Sequence, residues 1–254
     1  SEGCHLYRDR TSNLAMEHDR DSEVRAVCEA SDVVIAVVGL DATLEGEEGD
    51  TGTEYGSGDK PNLNLPGLQP DIIRIAKESG KPVIVVLLAG SAMALSWEDE
   101  HVDAILDGFY PGAQGGAAIA EILFGGANPE GKLPITFYQT TEELPEFTDY
   151  AMKGRTYRYM ENEALYPFGY GLSYTTYAYG NLECVKPFDA QDGSTLQVTV
   201  TSTGDREGTE TLQVYIKAKR EGTPNPQLKD VKKITLKPGE SVTEEIHLSP
   251  EAFM

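Results

Sequence analysis

The fold of this chain is decided by the stretch VVIAVVGL at residues 33–40. Five of its eight residues are β-branched and none is charged, a pattern typical of a strand that is buried on both faces of a parallel sheet. A second run of this kind, VIVVLL, occupies residues 83–88. The two runs predict neighbouring strands at the centre of an α/β domain.

Helical segments alternate with these strands along the chain. The predicted helices cover residues 22–30, the stretch from Pro66-Gly67 to Ser79-Gly80, and residues 115–124, and a weaker third strand is predicted within residues 102–110. This alternation predicts a Rossmann-like α/β sandwich with a mostly parallel sheet over residues 1–138.

From Tyr177 onwards the apolar period changes to two. Apolar and polar residues alternate around residues 196–200, 212–216, 234–236 and 246–248, with turn signals between them. Short antiparallel strands at this spacing predict a second domain, a β-sandwich over residues 176–254. Together with the segment that begins at Tyr177, these four ranges make five strands, whereas an immunoglobulin or fibronectin type III sandwich has about seven, so we expect an incomplete sandwich. Residues 139–175 are predicted to form an ordered connector, being rich in Tyr, Pro and Gly.

The charge balance excludes several classes of partner. Lys and Arg number 21 against 42 Asp and Glu, and the net charge of −21 repels nucleic-acid phosphates and anionic lipids. No apolar run reaches the ~18 residues of a membrane span. We therefore expect neither nucleic acid nor a membrane as partner.

The cysteines and histidines suggest no metal and no disulfide framework. Cys4, Cys28 and Cys184 are widely spaced without a CxxC pair, and the four histidines show no HExxH spacing. We expect no metal site and no cofactor. Free thiols favour a reducing, cytoplasmic compartment, while export stays open because the chain resembles a fragment.

An acidic loop follows the first strand and is the main candidate site. It reads GLDATLEGEEGD at residues 39–50 and includes Glu45, Glu47 and Glu48. In open α/β sheets, ligands bind outside the carboxyl ends of the strands, where this loop lies. Crowded carboxylates raise the pKa of at least one carboxyl group, as a general acid near neutral pH requires. Alternatively, this is a solvated acidic loop or a calcium loop, although it lacks the EF-hand pattern.

Other candidate features carry weaker signals. A nucleotide loop is disfavoured because no GxGxxG or GxxxxGK[ST] motif follows the strand. The glycines at 112–116 indicate either an anion-binding site at a helix start or a simple turn. Trp97 and the connector tyrosines either stack on sugar rings or pack in the core. Arg155 and Arg158 either pair with the acidic loop or form ordinary surface pairs.

Several longer motifs resemble family 3 glycoside hydrolases, the β-glucosidase and β-xylosidase group. The motifs are the acidic loop, GDKPNLNLPGLQ at 58–69, FYPGAQGGAAIAEILFGGANPEGKLPITF at 109–137, GRTYRY at 154–159, LYPFGYGLSYT at 165–175 and QLKDVKKITLKPGES at 227–241. The resemblance covers nearly the whole chain. It implies that the β-sandwich of residues 176–254 is a fibronectin type III-like domain.

The resemblance also implies a chemistry. It suggests the C-terminal part of a retaining, exo-acting β-glycosidase that cleaves terminal β-linked glucosides or oligosaccharides. A (β/α) barrel in the same or another chain would supply an Asp nucleophile, and the acidic loop the acid/base Glu. Glu47 is the first choice by similarity to the E-x-E-G pattern, although Glu48 stands where Gly is usual; Glu45 and Glu48 are the alternatives.

Two further expectations follow. Without a nucleophile, this chain alone is expected to be inactive. The competing hypothesis is a non-catalytic module that binds carbohydrate or serves as a partner subunit.

Overall fold

The computed structural model describes residues 18, 20–41, 44–45, 59–220 and 222–254. Contacts divide the chain into two compact units. The first comprises described residues of Ser1–Ile119 and Phe137–Glu146, and the second those of Ala120–Thr136 and Phe147–Met254. The boundaries at residues 138 and 175 stay a prediction. No helix among the described residues is long and apolar enough to cross a membrane.

Helices and strands alternate in the first half of the chain, as predicted. They are α1 at Asp21–Glu29, β1 at Val34–Gly39, α2 at Gln69–Glu78, β2 at Val83–Leu88, α3 at Ser96–His101, β3 at Ala104–Asp107 and α4 at Gly115–Leu123, with a 3-10 turn at Thr141–Glu143. The short α3 was not predicted, because its sequence SWEDEH carries too few apolar residues to show a helical period.

The three strands of this unit form a parallel sheet in the order β1-β2-β3, which confirms the predicted α/β class. The central strand β2 is the most buried, with Val83, Val85, Val86 and Leu87 fully shielded from solvent. Helices α1 and α2 cover one face of the sheet by packing Val24, Cys28, Ile75 and Ala76 against Val83. Because all three strands run in the same direction, their carboxyl ends meet at one edge.

The second unit is an antiparallel sandwich, as the two-residue period predicted. Its strands are β4 at Tyr177–Asp189, β5 at Gly193–Ser202, β6 at Gly208–Ile216, β7 at Gln227–Leu236 and β8 at Ser241–Leu248, followed by a 3-10 turn at Pro250–Phe253. One sheet has the order β4-β5-β8 and the other pairs β6 with β7. Their inward residues share one core, made of Val198, Val200, Leu212, Ile234, Leu236, Ile246 and Leu248.

Aromatic and amide side chains hold the segment before the sandwich in place. It contains the short helix α5 at Thr156–Tyr159. Tyr157 stacks on Phe168 with ring centroids 4.2 Å apart, and its hydroxyl accepts a hydrogen bond from the Leu228 N–H at 3.2 Å. The Asn225 amide donates to the carbonyl of Tyr157 at 3.0 Å. These bonds satisfy polar groups that a regular ladder does not pair.

Candidate functional site

The chain leaves β1 through a glycine that no other residue could replace without strain. Gly39 has φ of 141°, and a Cβ atom there would collide with the carbonyl oxygen of Leu88. The buried Gln69 side chain binds both backbone groups of this glycine. The Gly39 N–H donates to Gln69 Oε1 at 2.7 Å, and Gln69 Nε2 donates to the Gly39 carbonyl at 2.9 Å. The exit from β1 is therefore fixed by a side chain of α2.

One turn further on, the chain presents Glu45 to the edge of the sheet. The N–H groups of Leu44 and Glu45 both donate to the carbonyl of Asp41, at 3.0 and 2.9 Å. Leu44 is fully buried, whereas Glu45 is half-buried. The apolar side chain thus fixes the turn that orients the carboxylate beside it.

The Glu45 carboxylate joins the ends of all three strands. Its Oε1 accepts a hydrogen bond from Ser91 Oγ at 2.5 Å, and its Oε2 accepts one from the Tyr110 hydroxyl at 2.8 Å. Glu45 follows β1, Ser91 follows β2 and Tyr110 follows β3. Hydrogen bonds to an ionised acceptor are stronger than those between neutral groups. We call Glu45, Ser91 and Tyr110 the strand-end cluster.

Lys60 adds a positive charge beside this cluster. Its Nζ donates to the carbonyl of Ala92 at 2.9 Å and lies 3.2 Å from Met93 Sδ. Burial lowers the pKa of Lys60, and the negative charge of Glu45 opposes that change. Burial has the larger effect, so the net change in the pKa of Lys60 is downward.

The Tyr110 phenol remains a hydrogen-bond donor in this environment. Burial raises the pKa of Tyr110, and the hydrogen bond and charge of Glu45 raise it further. The ring fits against Gly90, where a Cβ atom would lie 2.5 Å from the ring carbon Cε2. Gly90 thus provides the space that Tyr110 needs to reach Glu45.

The turn after β3 presents Tyr110 through an unusual backbone. Phe109 has φ of 49°, and its N–H donates to Asp107 Oδ1 at 3.0 Å. The Gly108 N–H donates to the carbonyl of Leu87 at 2.8 Å. Burial raises the pKa of Asp107. Because it accepts the hydrogen bond from the Phe109 N–H, the Asp107 carboxyl group supports the turn that carries Tyr110.

Of the three predicted site residues, the structure describes only Glu45. Glu47 and Glu48 lie outside the described residues. Glu45 takes the position that the acidic loop was expected to have, at the carboxyl ends of the parallel strands. Its partners Ser91 and Tyr110, as well as Lys60 and Gln69, were not predicted. The available signal was that two of them are polar residues shortly after β2 and β3.

The weaker candidates occupy structural positions. Gly112 has φ of 66° in the turn before α4, and a Cβ on Gly115 would collide with Pro111. Trp97 stacks on His101 with centroids 4.3 Å apart, and Arg74 lies 5.4 Å from its ring centroid. These contacts favour turn geometry as the role of the glycines at 112–116 and side-chain packing as the role of Trp97.

The two connector arginines contact nearby groups of their own unit. Arg155 donates to the carbonyls of Ala151 at 3.1 Å and Asp149 at 2.5 Å. The Arg158 guanidinium lies 6.0 Å from the centroid of the Tyr157 ring. Their pairing with the acidic loop stays a prediction. Within the described part of the chain, no group of three His, Cys, Asp or Glu residues is arranged to hold a metal ion.

Comparisons with known proteins match both halves of the chain. The model of the glycosyl hydrolase family 3 C-terminal domain matches residues 7–174, and that of the fibronectin type III-like domain matches residues 210–254.

Curated relatives and solved structures agree with these matches. A xylan 1,4-beta-xylosidase from Xylanibacter ruminicola is 42% identical over 87% of this chain and 26% of its own length. A periplasmic beta-glucosidase from Salmonella typhimurium is 39% identical over 92% of this chain and 31% of its own. The structure of a beta-glucosidase from Erythrobacter marinus aligns with a TM-score of 0.77 at 34% identity, over 92% of this chain and 31% of that one. The chain thus spans about a third or less of these relatives.

Proposed function

The chain belongs to glycosyl hydrolase family 3, as its C-terminal domain, and we propose that in the complete protein it supplies the acid/base glutamate of a retaining, exo-acting β-glycosidase. The resemblance seen in the sequence motifs is thereby confirmed at the level of the family. One observation carries the proposal: Glu45 of the acidic loop is held at the ends of three parallel strands, where sheets of this class bind ligands.

Glu47 is the proposed acid/base within this loop, with Glu45 and Glu48 as alternatives. A general acid must carry a proton that it can donate to the leaving oxygen. Both oxygens of Glu45 instead accept hydrogen bonds, from Ser91 and Tyr110, an arrangement that suits an ionised carboxylate. This geometry supports Glu47 or Glu48 over Glu45, and the E-x-E-G similarity supports Glu47.

The reaction requires a second carboxylate, which we propose lies on a (β/α) barrel domain of the same or another chain. In a retaining mechanism, the nucleophile forms a covalent glycosyl-enzyme while the acid protonates the leaving oxygen. The same residue then acts as a base and activates water. The proposed substrates are β-linked glucosides or oligosaccharides, since the relatives are named as a β-glucosidase and a β-xylosidase.

The compartment is proposed to be the cytoplasm. Within the described residues, Cys28 and Cys184 are free thiols, which suits a reducing environment. The Salmonella relative is named as periplasmic, so that fractionation of cells making the complete protein is the test. Recovery of the protein outside the cytoplasm contradicts this assignment.

The direct test assays the complete protein against a panel of aryl β-glycosides. Glu47→Gln removes the proton donor with little change in size, and should slow cleavage of poorly activated substrates by about 10²–10⁴-fold. For substrates whose leaving group departs without protonation, the first step, formation of the glycosyl-enzyme, should be nearly as fast in Glu47→Gln as in the wild type. Glu100→Gln, at an exposed position of α3, is the matched control and should behave like the wild type.

Three other outcomes have distinct meanings. If Glu45→Gln or Glu48→Gln shows this dependence on the leaving group while Glu47→Gln does not, the loop is right and the residue is wrong. If none of the three variants shows it, the acidic loop is not the acid/base. If the complete protein binds a β-glucoside but cleaves none of the panel, the non-catalytic module is the better description.

A further inference from the structure

We propose that the strand-end cluster is a positioning device for the acid/base loop, in which Tyr110 and Ser91 act through Glu45. This inference rests on the proposed function, because it assumes that the loop after β1 supplies the acid/base. Neither Tyr110 nor Ser91 is required to contact the substrate. Their role is to fix the point from which the loop extends.

The position of Glu45 matters because the proposed acid/base, Glu47, follows it by two residues in the sequence. Catalytic efficiency is sensitive to position, because a displacement of about 1 Å can cost 10²-fold in rate. The proposed positioning role therefore requires that Glu45 itself is held firmly.

Two bonds from different strands give Glu45 this fixed position. Ser91 binds one carboxylate oxygen at 2.5 Å and Tyr110 binds the other at 2.8 Å. Since Ser91 follows β2 and Tyr110 follows β3, Glu45 cannot rotate without breaking a bond to one of them. Both bonds have a charged acceptor, which makes them stronger than ordinary hydrogen bonds.

The cluster is itself supported by the surrounding backbone. Lys60 binds the Ala92 carbonyl, one residue after Ser91, and the charge of Glu45 acts on Lys60. Gly90 leaves room for the Tyr110 ring, which a side chain would push away from Glu45. Each of the two Glu45 carboxylate oxygens accepts a hydrogen bond from a side chain. The carboxylate is thus used in holding the loop, which separates its role from that of a proton donor.

The test is a double-mutant cycle in the complete enzyme. Tyr110→Phe and Glu45→Ala each remove the hydrogen bond between these two side chains, and each should lower kcat on a poorly activated aryl β-glucoside by about tenfold, with KM changed less than about twofold. The kcat of the double variant should be no lower than that of Glu45→Ala alone, because residues that act as a unit are not additive. Independent effects that multiply in the double variant contradict the proposal.

The pH profile separates positioning from catalysis. Removal of the acid/base itself abolishes the alkaline limb of the profile of kcat/KM, which reports the ionisation of the essential acid. Tyr110→Phe and Glu45→Gln should retain that limb. If Glu45→Gln loses the limb and azide restores its turnover, Glu45 is the acid/base and the positioning proposal is wrong, although the loop remains the catalytic one.

Two further variants keep the result independent of a single substitution. Gly90→Ala removes no polar group but displaces the Tyr110 ring, and should lower kcat in the same way. Its control is Gly116→Ala in α4, where a Cβ atom meets nothing within 4 Å, and kcat should not change. Ser91→Ala should lower kcat and Ser91→Thr, which keeps the hydroxyl, should restore most of it. Wild-type kcat in Tyr110→Phe, Ser91→Ala and Gly90→Ala contradicts the proposal even where Glu47→Gln behaves as proposed.

Discussion

At the scale of single residues, Gln69 makes the clearest stability prediction. Its buried amide binds both the N–H and the carbonyl of Gly39, so that Gln69→Leu leaves two buried backbone groups without this partner. Each unsatisfied buried group costs about 1–3 kcal/mol. For the two groups together we expect the free energy of local opening at β1 to fall by about 2–6 kcal/mol, measured by hydrogen exchange of the Val34–Gly39 peptide in the complete protein.

The control for this prediction is Gln114→Leu, at an exposed position in the turn before α4. It should leave hydrogen exchange of β1 unchanged, since surface substitutions usually change stability by less than about 0.5 kcal/mol. Equal protection of β1 in Gln69→Leu and the wild type contradicts the structural role of Gln69.

The hydrogen-bond partners of Glu45 could not be predicted from the sequence. Glu45 was a candidate because it lies in a run of carboxylates only a few residues after the first strand. Ser91 and Tyr110 are 46 and 65 residues away from it, and only the parallel arrangement of β1, β2 and β3 brings them together. A single sequence contains no signal for such pairs beyond the position of a polar residue after a strand.

At the scale of elements, Asp103 connects α2, β2 and β3 and predicts a pH dependence. Its Oδ2 accepts from the Val83 N–H at 2.8 Å and from Lys77 at 3.2 Å. The bond from Val83, followed by that from Lys77, lowers the pKa of Asp103. A lowered carboxyl pKa stabilises the fold fully above the unfolded pKa of about 3.9, and this contribution is lost as pH falls through the folded pKa.

We therefore expect Asp103→Asn to lower the Tm of the complete protein at pH 5–7, and the difference from the wild type to shrink below about pH 3.9. Asp32→Asn, at an exposed position before β1, is the matched control and should show no such pattern. A difference in Tm between Asp103→Asn and the wild type that stays constant from pH 7 to pH 3 contradicts the assignment.

Element types were predictable where the period was long or the run was fully apolar. β2 was expected at residues 83–88 and is found at Val83–Leu88, and α2 ends at Glu78, beside the predicted Ser79-Gly80 signal. By contrast, α3 is six residues long and is held by its neighbours, as when Ser96 Oγ donates to the Gln139 carbonyl at 2.8 Å. Short elements of this kind depend on tertiary contacts rather than on local pattern.

At the scale of the whole molecule, we expect that residues 1–254 alone do not hydrolyse an aryl β-glucoside above background. The proposed nucleophile belongs to another domain, and without it no glycosyl-enzyme can form. The measurement compares the purified chain with the complete protein at equal molar concentration. Robust turnover by residues 1–254 contradicts the proposed division of the two carboxylates.

The most direct test of the central claim is the product that Glu47→Gln makes in the complete protein when azide is present. With an activated aryl β-glucoside, the glycosyl-enzyme should form but lack a base for water, so that azide replaces water in the second step. Two displacements at the same carbon retain its configuration, and NMR should show a β-glycosyl azide together with faster turnover. Turnover that azide does not change, with the free sugar as the only product, contradicts the claim that Glu47 is the acid/base.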